Sequence, residues 1–223
     1  MPDAPVLVER SGPKLTLTLN RPEVINAFNA DVFRIINEAL DNAERDAEIH
    51  VVVLRAIGRG FSSGLDRKAM ETMRSGDGEY STFFDTFYGL MRRVDAFPKP
   101  VIALIHGHCI AAGAQLATAA DIVIAGESLR LFEPELRGGF WNTEDWPRRL
   151  ARTFGPATAK LYMMWGEPFS ADQALKAGLV SMVVPDDELT AIGDGVADRL
   201  ATFAPDGVSK ALAVVDDEVR RSR

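Results

Sequence analysis

Hydrophobic positions along the chain change period several times, and the changes outline a fold. "KLTLTLN" from Lys14 alternates apolar and polar residues, the pattern of a strand, and "RPEVINAFNADVFRIINEALDNAERD" then shifts to a helical period from about Asn29. "IHVVVLRAIG" is an almost unbroken β-branched run, which predicts a strand buried on both faces, and the glycine-punctuated "GRGFSSGLD" ends it. Residues 67 to 97 predict helix around a soft middle, because "RSGDGEY" is a loop signal between two amphipathic stretches. "KPVIALIHG" is the next buried strand, "HGHCIAAGAQLATAADI" supplies the helix after it, and "DIVIAG" is a further strand. From about Pro156 to Arg223 the pattern is largely helical, interrupted by "GLVSMVVP" and closed by the charged "DDEVRRSR", a terminus expected to fray.

Strands alternating with helices predict an α/β domain whose right-handed crossovers bring strand ends to one edge of the core, where ligands gather in such folds. With 223 residues, 47% of them hydrophobic, the chain can bury one sizeable core. We read a main domain over residues 1–185 and a helical segment over 186–223. The net charge of -7 argues against nucleic acid as the principal partner, since a phosphate backbone meets a repulsive mean field. A single cysteine, Cys109, leaves no internal disulfide framework and reads as a packed thiol in a reducing compartment. "MPDAPVLVERSGPKL" lacks the features of a signal peptide, and no apolar run approaches the ~20 residues needed to span a bilayer. A cytoplasmic protein without membrane contact is expected.

Two turns and a few acids carry the candidate chemistry. In "FSSGLD", Gly64 permits backbone conformations closed to other residues, which would leave the amide of Ser63 pointing outward; an ordinary tight turn has the same pattern. In "IAAGAQLA", a helix starting near Ala111 has unpartnered first amides, and its small residues let a ligand oxygen reach the N–H of Ala112. Two such amides on neighbouring strand ends would form an oxyanion hole, worth about 3 kcal/mol per donor to a transition state carrying negative oxygen. Gln115 lies three residues past Ala112, on the same helix face, and holds a hydrogen bond where a glutamate would move a proton. In "LFEPELRGGFWNTEDWPRRL", the strand-like "SLRLF" and Pro134 bring Glu135 to the rim of the core. Glu144 and Asp145 fall in the first turn of a helix capped by Asn142 or Thr143, where acids also simply complement the dipole.

These pieces, in this order, resemble the crotonase (enoyl-CoA hydratase/isomerase) superfamily. The match runs from "LTLNRPEVINAFN" through "GFSSGLD", "KPVIALIHGHCIAAGAQLATAADIVIA" and "EPELRGG" to "GEPFSADQALKAGLVSMVVP". The resemblance implies a spiral of ββα units with a helical C-terminal segment, assembled as a homotrimer or dimer of trimers and acting on acyl-CoA thioesters. Coenzyme A enters as part of the substrate; no other cofactor and no metal are implied. The resemblance maps the oxyanion hole onto the amides of Ser63 and Ala112, and CoA contacts onto Ala27, Arg59, Ser63, Leu65, Asp66 and Lys68, with Arg59 and Lys68 as phosphate partners.

Hydratases of the family use two glutamates, of which the first falls on Gln115 and the second on Glu135. Losing one carboxylate removes a general acid or base worth about 10²–10⁴ in rate. A double-bond isomerase needs only one such group, which makes isomerisation the leading reading. A hydratase with a replacement acid at Glu144 or Asp145 is the first alternative. Two others are a CoA-independent diketone hydrolase using His106 and His108, expected to share one side of a strand end, and a family member that binds without catalysis. The family's "PGAGGTQRL" is here "NTEDWPRRL", which reshapes the pocket, and Val24 and Ile25 stand where a CoA-binding basic residue is common.

Overall fold

The computed structural model describes residues 4–68, 71, 79–137, 139 and 145–221. Strands β1 (Val6–Ser11), β2 (Lys14–Leu19), β3 (Val51–Ala56) and β4 (Val101–Ile105) are followed by β5 (His108–Ile110), β6 (Ile122–Gly126), β7 (Arg130–Phe132), β8 (Phe169–Ser170) and β9 (Met182–Val184). Helices α1 (Ala30–Arg45), α2 (Glu79–Asp95), α3 (Ala112–Ala117) and α4 (Asp145–Phe154) precede α5 (Pro156–Met164), α6 (Ala171–Lys176), α7 (Leu189–Ala201) and α8 (Pro205–Arg221).

Six strands form one sheet in the order β1-β2-β3-β4-β6-β9, and three form a second in the order β5-β7-β8. In the large sheet only the β1–β2 pair is antiparallel. The chain leaves the large sheet after β4, turns into β5 of the small sheet and enters α3; it does the same from β6 into β7. Residues 60–62 extend the pattern, bridging Gly60 to Gly107 and Ser62 to Cys109. The expected α/β architecture of ββα units is the one observed.

The unbroken apolar runs have a simple cause. In β3, Val52 and Leu54 face the main core with α1, while Val51 and Val53 face a second cluster beneath α7. Both faces of the sheet are covered, so alternation disappears from the sequence. α1 begins where Asn29 Oδ1 accepts the Val32 amide at 3.0 Å, and it buries Val32, Phe33, Ile36 and Leu40 along one stripe. α7 is tied down by Lys14, whose Nζ donates to Asp194 and Asp198 at 2.9 Å each. β1, which the hydrophobic pattern does not signal, is an edge strand burying little beyond Val6. No described helix is long and apolar enough to cross a membrane.

The structure departs from the sequence pattern at the two histidines. His106 and His108 do not share a strand face, because Gly107, at φ +51°, turns the chain between β4 and β5. A side chain at Gly107 would begin 2.2 Å from the Arg59 carbonyl, so only glycine permits this crossing. The His106 ring is instead held at the Gly58 carbonyl, with Nε2 at 2.9 Å.

Candidate active site

The loop ahead of α1 and the turn after β3 are locked together by buried polar side chains. Asn26 donates from Nδ2 to the carbonyls of Ile57 and Gly60 at 2.9 and 3.0 Å and accepts the Arg21 amide at 2.8 Å. Ser62 Oγ donates to the Asn26 carbonyl at 2.9 Å and accepts the Gly64 amide at 3.1 Å. The Ser63 amide donates to the Ile25 carbonyl at 2.8 Å, which corrects the expectation that it points outward: it is consumed in holding the turn.

The outward amide is one residue pair further on. Leu65 bridges Phe28 in parallel fashion, with the Phe28 amide donating to the Gly64 carbonyl at 2.8 Å and the Asp66 amide to the Phe28 carbonyl at 2.9 Å. In a parallel bridge the central residue's own N–H faces away from the partner. The Leu65 N–H accordingly has no acceptor among the described residues.

Across from it stands the start of α3. The Ala111 amide donates to the Phe132 carbonyl at 2.8 Å, and the Gln115 amide closes the first turn on the Ala111 carbonyl at 2.9 Å. That leaves the Ala112 N–H as the first orphan donor of the helix. α3 runs only six residues, so a summed helix dipole is small and the individual amide is what matters. Gly64 packs directly on this point: a Cβ there would lie 3.4 Å from the Ala112 nitrogen and 3.1 Å from the Ile110 carbonyl oxygen. The turn and the helix start therefore meet with two unpartnered N–H groups at one place.

Gln115, on the same helix face, does not stand alone. Its Nε2 donates to Glu133 Oε1 at 3.0 Å, and the two residues are only 6% and 4% exposed. Glu133 in turn interacts with Glu135, two residues along and half-buried. Burial first, and then the neighbouring Glu135 carboxyl, push the Glu133 carboxyl well above the usual carboxylate range; the Gln115 hydrogen bond pulls the other way. Glu133 Oε2, Glu135 Oε2 and Gln115 Oε1 are buried acceptors without partners among the described residues. Trp146 Nε1 and the Tyr162 hydroxyl, buried donors that also lack a partner among the described residues, accompany them; the indole approaches Glu133 without reaching hydrogen-bonding geometry. Burial, reinforced by Glu133, also drives the Cys109 thiol far up, so it stays protonated and unreactive.

α4 is positioned by Arg149, whose Nε donates to Asp95 Oδ1 and Nη2 to the Thr118 carbonyl, each at 2.6 Å. Its guanidinium lies 6.0 Å from the Trp146 ring, which fixes that side of the cluster.

Of the residues expected at the site, Ala112, Gln115 and Glu135 are brought together. Ala27, Leu65 and Asp66 line up along the Phe28–Leu65 bridge, where Arg21 Nη1 binds the Ala27 carbonyl at 2.6 Å and Asp66 Oδ2 at 2.9 Å. Arg59 and Lys68 are exposed on either side of the turn. Glu144 and the cap residues Asn142 and Thr143 lie outside the described residues, and Asp145 opens α4. Glu133 is the residue that sequence reasoning missed. The two glutamates of "FEPEL" are visible in the sequence, but the burial of the first is not, because it comes with contacts such as that of Gln115 from a separate helix.

The description enoyl-CoA hydratase/isomerase belongs to the family model that matches residues 13–223. The chain is 36% identical to the 2,3-dehydroadipyl-CoA hydratase of Escherichia coli K12 across 90% of its own length and 77% of the relative's. It is 35% identical to the 1,2-epoxyphenylacetyl-CoA isomerase of the same organism, covering 84% and 72% of the two chains. Among solved structures, an enoyl-CoA hydratase/isomerase from Xanthobacter autotrophicus Py2 superposes with a TM-score of 0.89 at 32% identity, over 97% of this chain and 80% of that one.

Proposed function

The chain belongs to the enoyl-CoA hydratase/isomerase family, and from that premise we propose that it forms and reprotonates enolates of acyl-CoA thioesters at the junction of Leu65, Ala112 and Glu135. The observation that carries this reading is the meeting of the orphan Leu65 and Ala112 amides beside a partly buried carboxylate.

The thioester oxygen accepts both N–H groups, which stabilises the negative charge that develops when a proton leaves C2; each donor contributes about 3 kcal/mol to that step. Glu135 takes the proton. For a 3-enoyl thioester the electron pair of the broken C–H bond shifts the double bond towards the carbonyl, and the same carboxyl returns the proton at C4. The product is the 2-enoyl thioester, and the reaction needs only one base and two amides, all of them regenerated. Isomerisation is thus the reaction that this part of the site supports by itself. In this reading the CoA moiety lies along Ala27, Leu65 and Asp66 at the Phe28–Leu65 bridge, and its phosphates meet the exposed Arg59 and Lys68. Leu65, not Ser63, supplies the second amide of the hole, because the Ile25 carbonyl already holds the Ser63 N–H.

The test is exchange of the C2 protons of a saturated acyl-CoA with D₂O, followed by mass spectrometry. The native protein is expected to incorporate deuterium, and Glu135→Gln to lose the exchange by about 10²–10⁴ while still binding the thioester in a calorimetric titration. Exchange at the native rate in Glu135→Gln removes Glu135 from the mechanism.

A further inference from the structure

Beneath Glu135 lies a second carboxyl that enolate formation by one base does not use. Glu133 is 4% exposed, yet no cation among the described residues pairs with it; its one described hydrogen bond comes from the Gln115 amide. Its remaining oxygen, Oε2, and Glu135 Oε2 are both buried and have no partner among the described residues. Two ionised carboxylates cannot share such a place, whereas one proton between them turns a repulsion into a hydrogen bond. Resting on the enolate reading above, we infer that Glu133 and Glu135 form a carboxyl–carboxylate pair holding one proton, with Glu133 seated by Gln115, and that this pair lets the enzyme add water to 2-enoyl thioesters.

A single carboxylate holds either a charge or a proton. A pair with one proton holds both together, which is what addition of water requires. As the water oxygen bonds to C3, its proton passes to the pair, and the π electrons move onto the thioester oxygen between the Leu65 and Ala112 amides. As that enolate collapses, C2 takes one proton from the pair, the C1=C2 bond of the enolate becomes single and the thioester C=O is restored. Water and enoyl thioester become the 3-hydroxyacyl thioester, and the pair ends with the one proton it began with. Glu135 is the member at the substrate; Glu133 acts through it as a positioning and proton-holding residue. The acid that position 115 lacks is then supplied from the other end of its own hydrogen bond, and no replacement at Glu144 or Asp145 is needed.

The test uses the full chain and three variants: Glu133→Gln, the exchanged pair Gln115→Glu/Glu133→Gln, and Glu135→Gln. Hydration of a short 2-enoyl-CoA is followed by chromatography, and C2 deuterium exchange is followed in parallel. Glu133→Gln is expected to lower kcat for hydration by about 10²–10⁴ with KM little changed, while exchange falls by less than tenfold. The exchanged pair returns the carboxyl to the same hydrogen bond and is expected to recover hydration at least tenfold over Glu133→Gln. Glu135→Gln loses both reactions, so a chain that exchanges but never hydrates sinks this inference alone, whereas one that does neither sinks the enolate reading. An activity-independent readout decides the pair itself: the infrared C=O band of a protonated carboxylic acid at neutral pH, present in the native protein and gone in Glu133→Gln. Absence of that band from the native protein, or hydration undiminished in Glu133→Gln, overturns the proposal.

Discussion

Substituting Gly113 by alanine tests whether the contact between α3 and the Ser62 turn sets the oxyanion geometry. Inside a helix, a glycine-to-alanine change ordinarily stabilises by about 0.5–1 kcal/mol. Here the new Cβ would begin 2.7 Å from Ser62 Cβ, 2.9 Å from its carbonyl oxygen and 3.0 Å from Oγ. Ordinary carbon contacts are about 3.5–4.0 Å, so the two elements must separate by on the order of 1 Å. Ser62 is unable to give way, being fully buried with its amide bonded to the His108 carbonyl and its own carbonyl accepting the Ile110 amide. α3 must move instead. Overpacking of this kind costs about 1–3 kcal/mol, which leaves a net destabilisation of up to about 2.5 kcal/mol. The Ala112 amide moves with the helix, and an error of about 1 Å at a positioned group costs about 10²-fold in rate. Gly195→Ala is the control: it sits on the exposed side of α7, with nothing within 4 Å of the added carbon. Urea denaturation and C2 exchange, measured on both variants, are expected to show Gly113→Ala slower and less stable and Gly195→Ala as active as the native protein. A Gly113→Ala variant as fast as Gly195→Ala refutes the link between this contact and the oxyanion hole.

Ala111 adopts φ +54°, ψ −125°, a region that side chains rarely enter, so Ala111→Gly is expected to raise stability by about 1 kcal/mol in urea titration, and a loss would contradict the strain. Asn26 makes one buried and two partly buried hydrogen bonds at about 1 kcal/mol each, so Asn26→Ala is expected to lower stability by about 3 kcal/mol and to slow C2 exchange, because the Ser62 turn loses its anchor. Glu133 keeps its proton in the folded chain at pH values where the unfolded chain has released it. The folded state then binds the extra proton, and stability falls as pH rises from the ordinary carboxylate range through the raised value. Glu133→Gln is expected to flatten that part of a denaturation-midpoint profile; an unchanged slope assigns it to another group. Leu161, Met164 and Trp165 stand 49%, 65% and 52% exposed around the end of α5, and we propose that they are covered in a homotrimer, which light scattering on a sizing column checks against a monomer mass.

The fold was legible because the apolar runs of β3, β4 and β6 are continuous for a reason that acts locally: helices cover both faces of the sheet. β1 was not, since an edge strand with one buried residue carries too few apolar positions to show a period. The site was legible in part. Ala112, Gln115 and Glu135 follow from a turn, a helix spacing and a strand end, all of them short-range features. Which amide of "SSGLD" faces outward depends on the Phe28 bridge and the Ile25 carbonyl, contacts across more than thirty residues of chain, and the one-residue view placed it on Ser63 instead of Leu65. Glu133 was hidden differently. A glutamate in "LFEPEL" reads as surface until the partner that buries it, Gln115 on a separate helix, is in view.

The most direct test of the account is a crystal structure of the protein with a bound, unreactive acyl-CoA. The thioester oxygen is expected about 2.7–3.1 Å from both the Leu65 and Ala112 nitrogens, with C2 against the Glu135 carboxyl. A thioester whose oxygen meets neither nitrogen, or whose C2 lies away from Glu135, contradicts it.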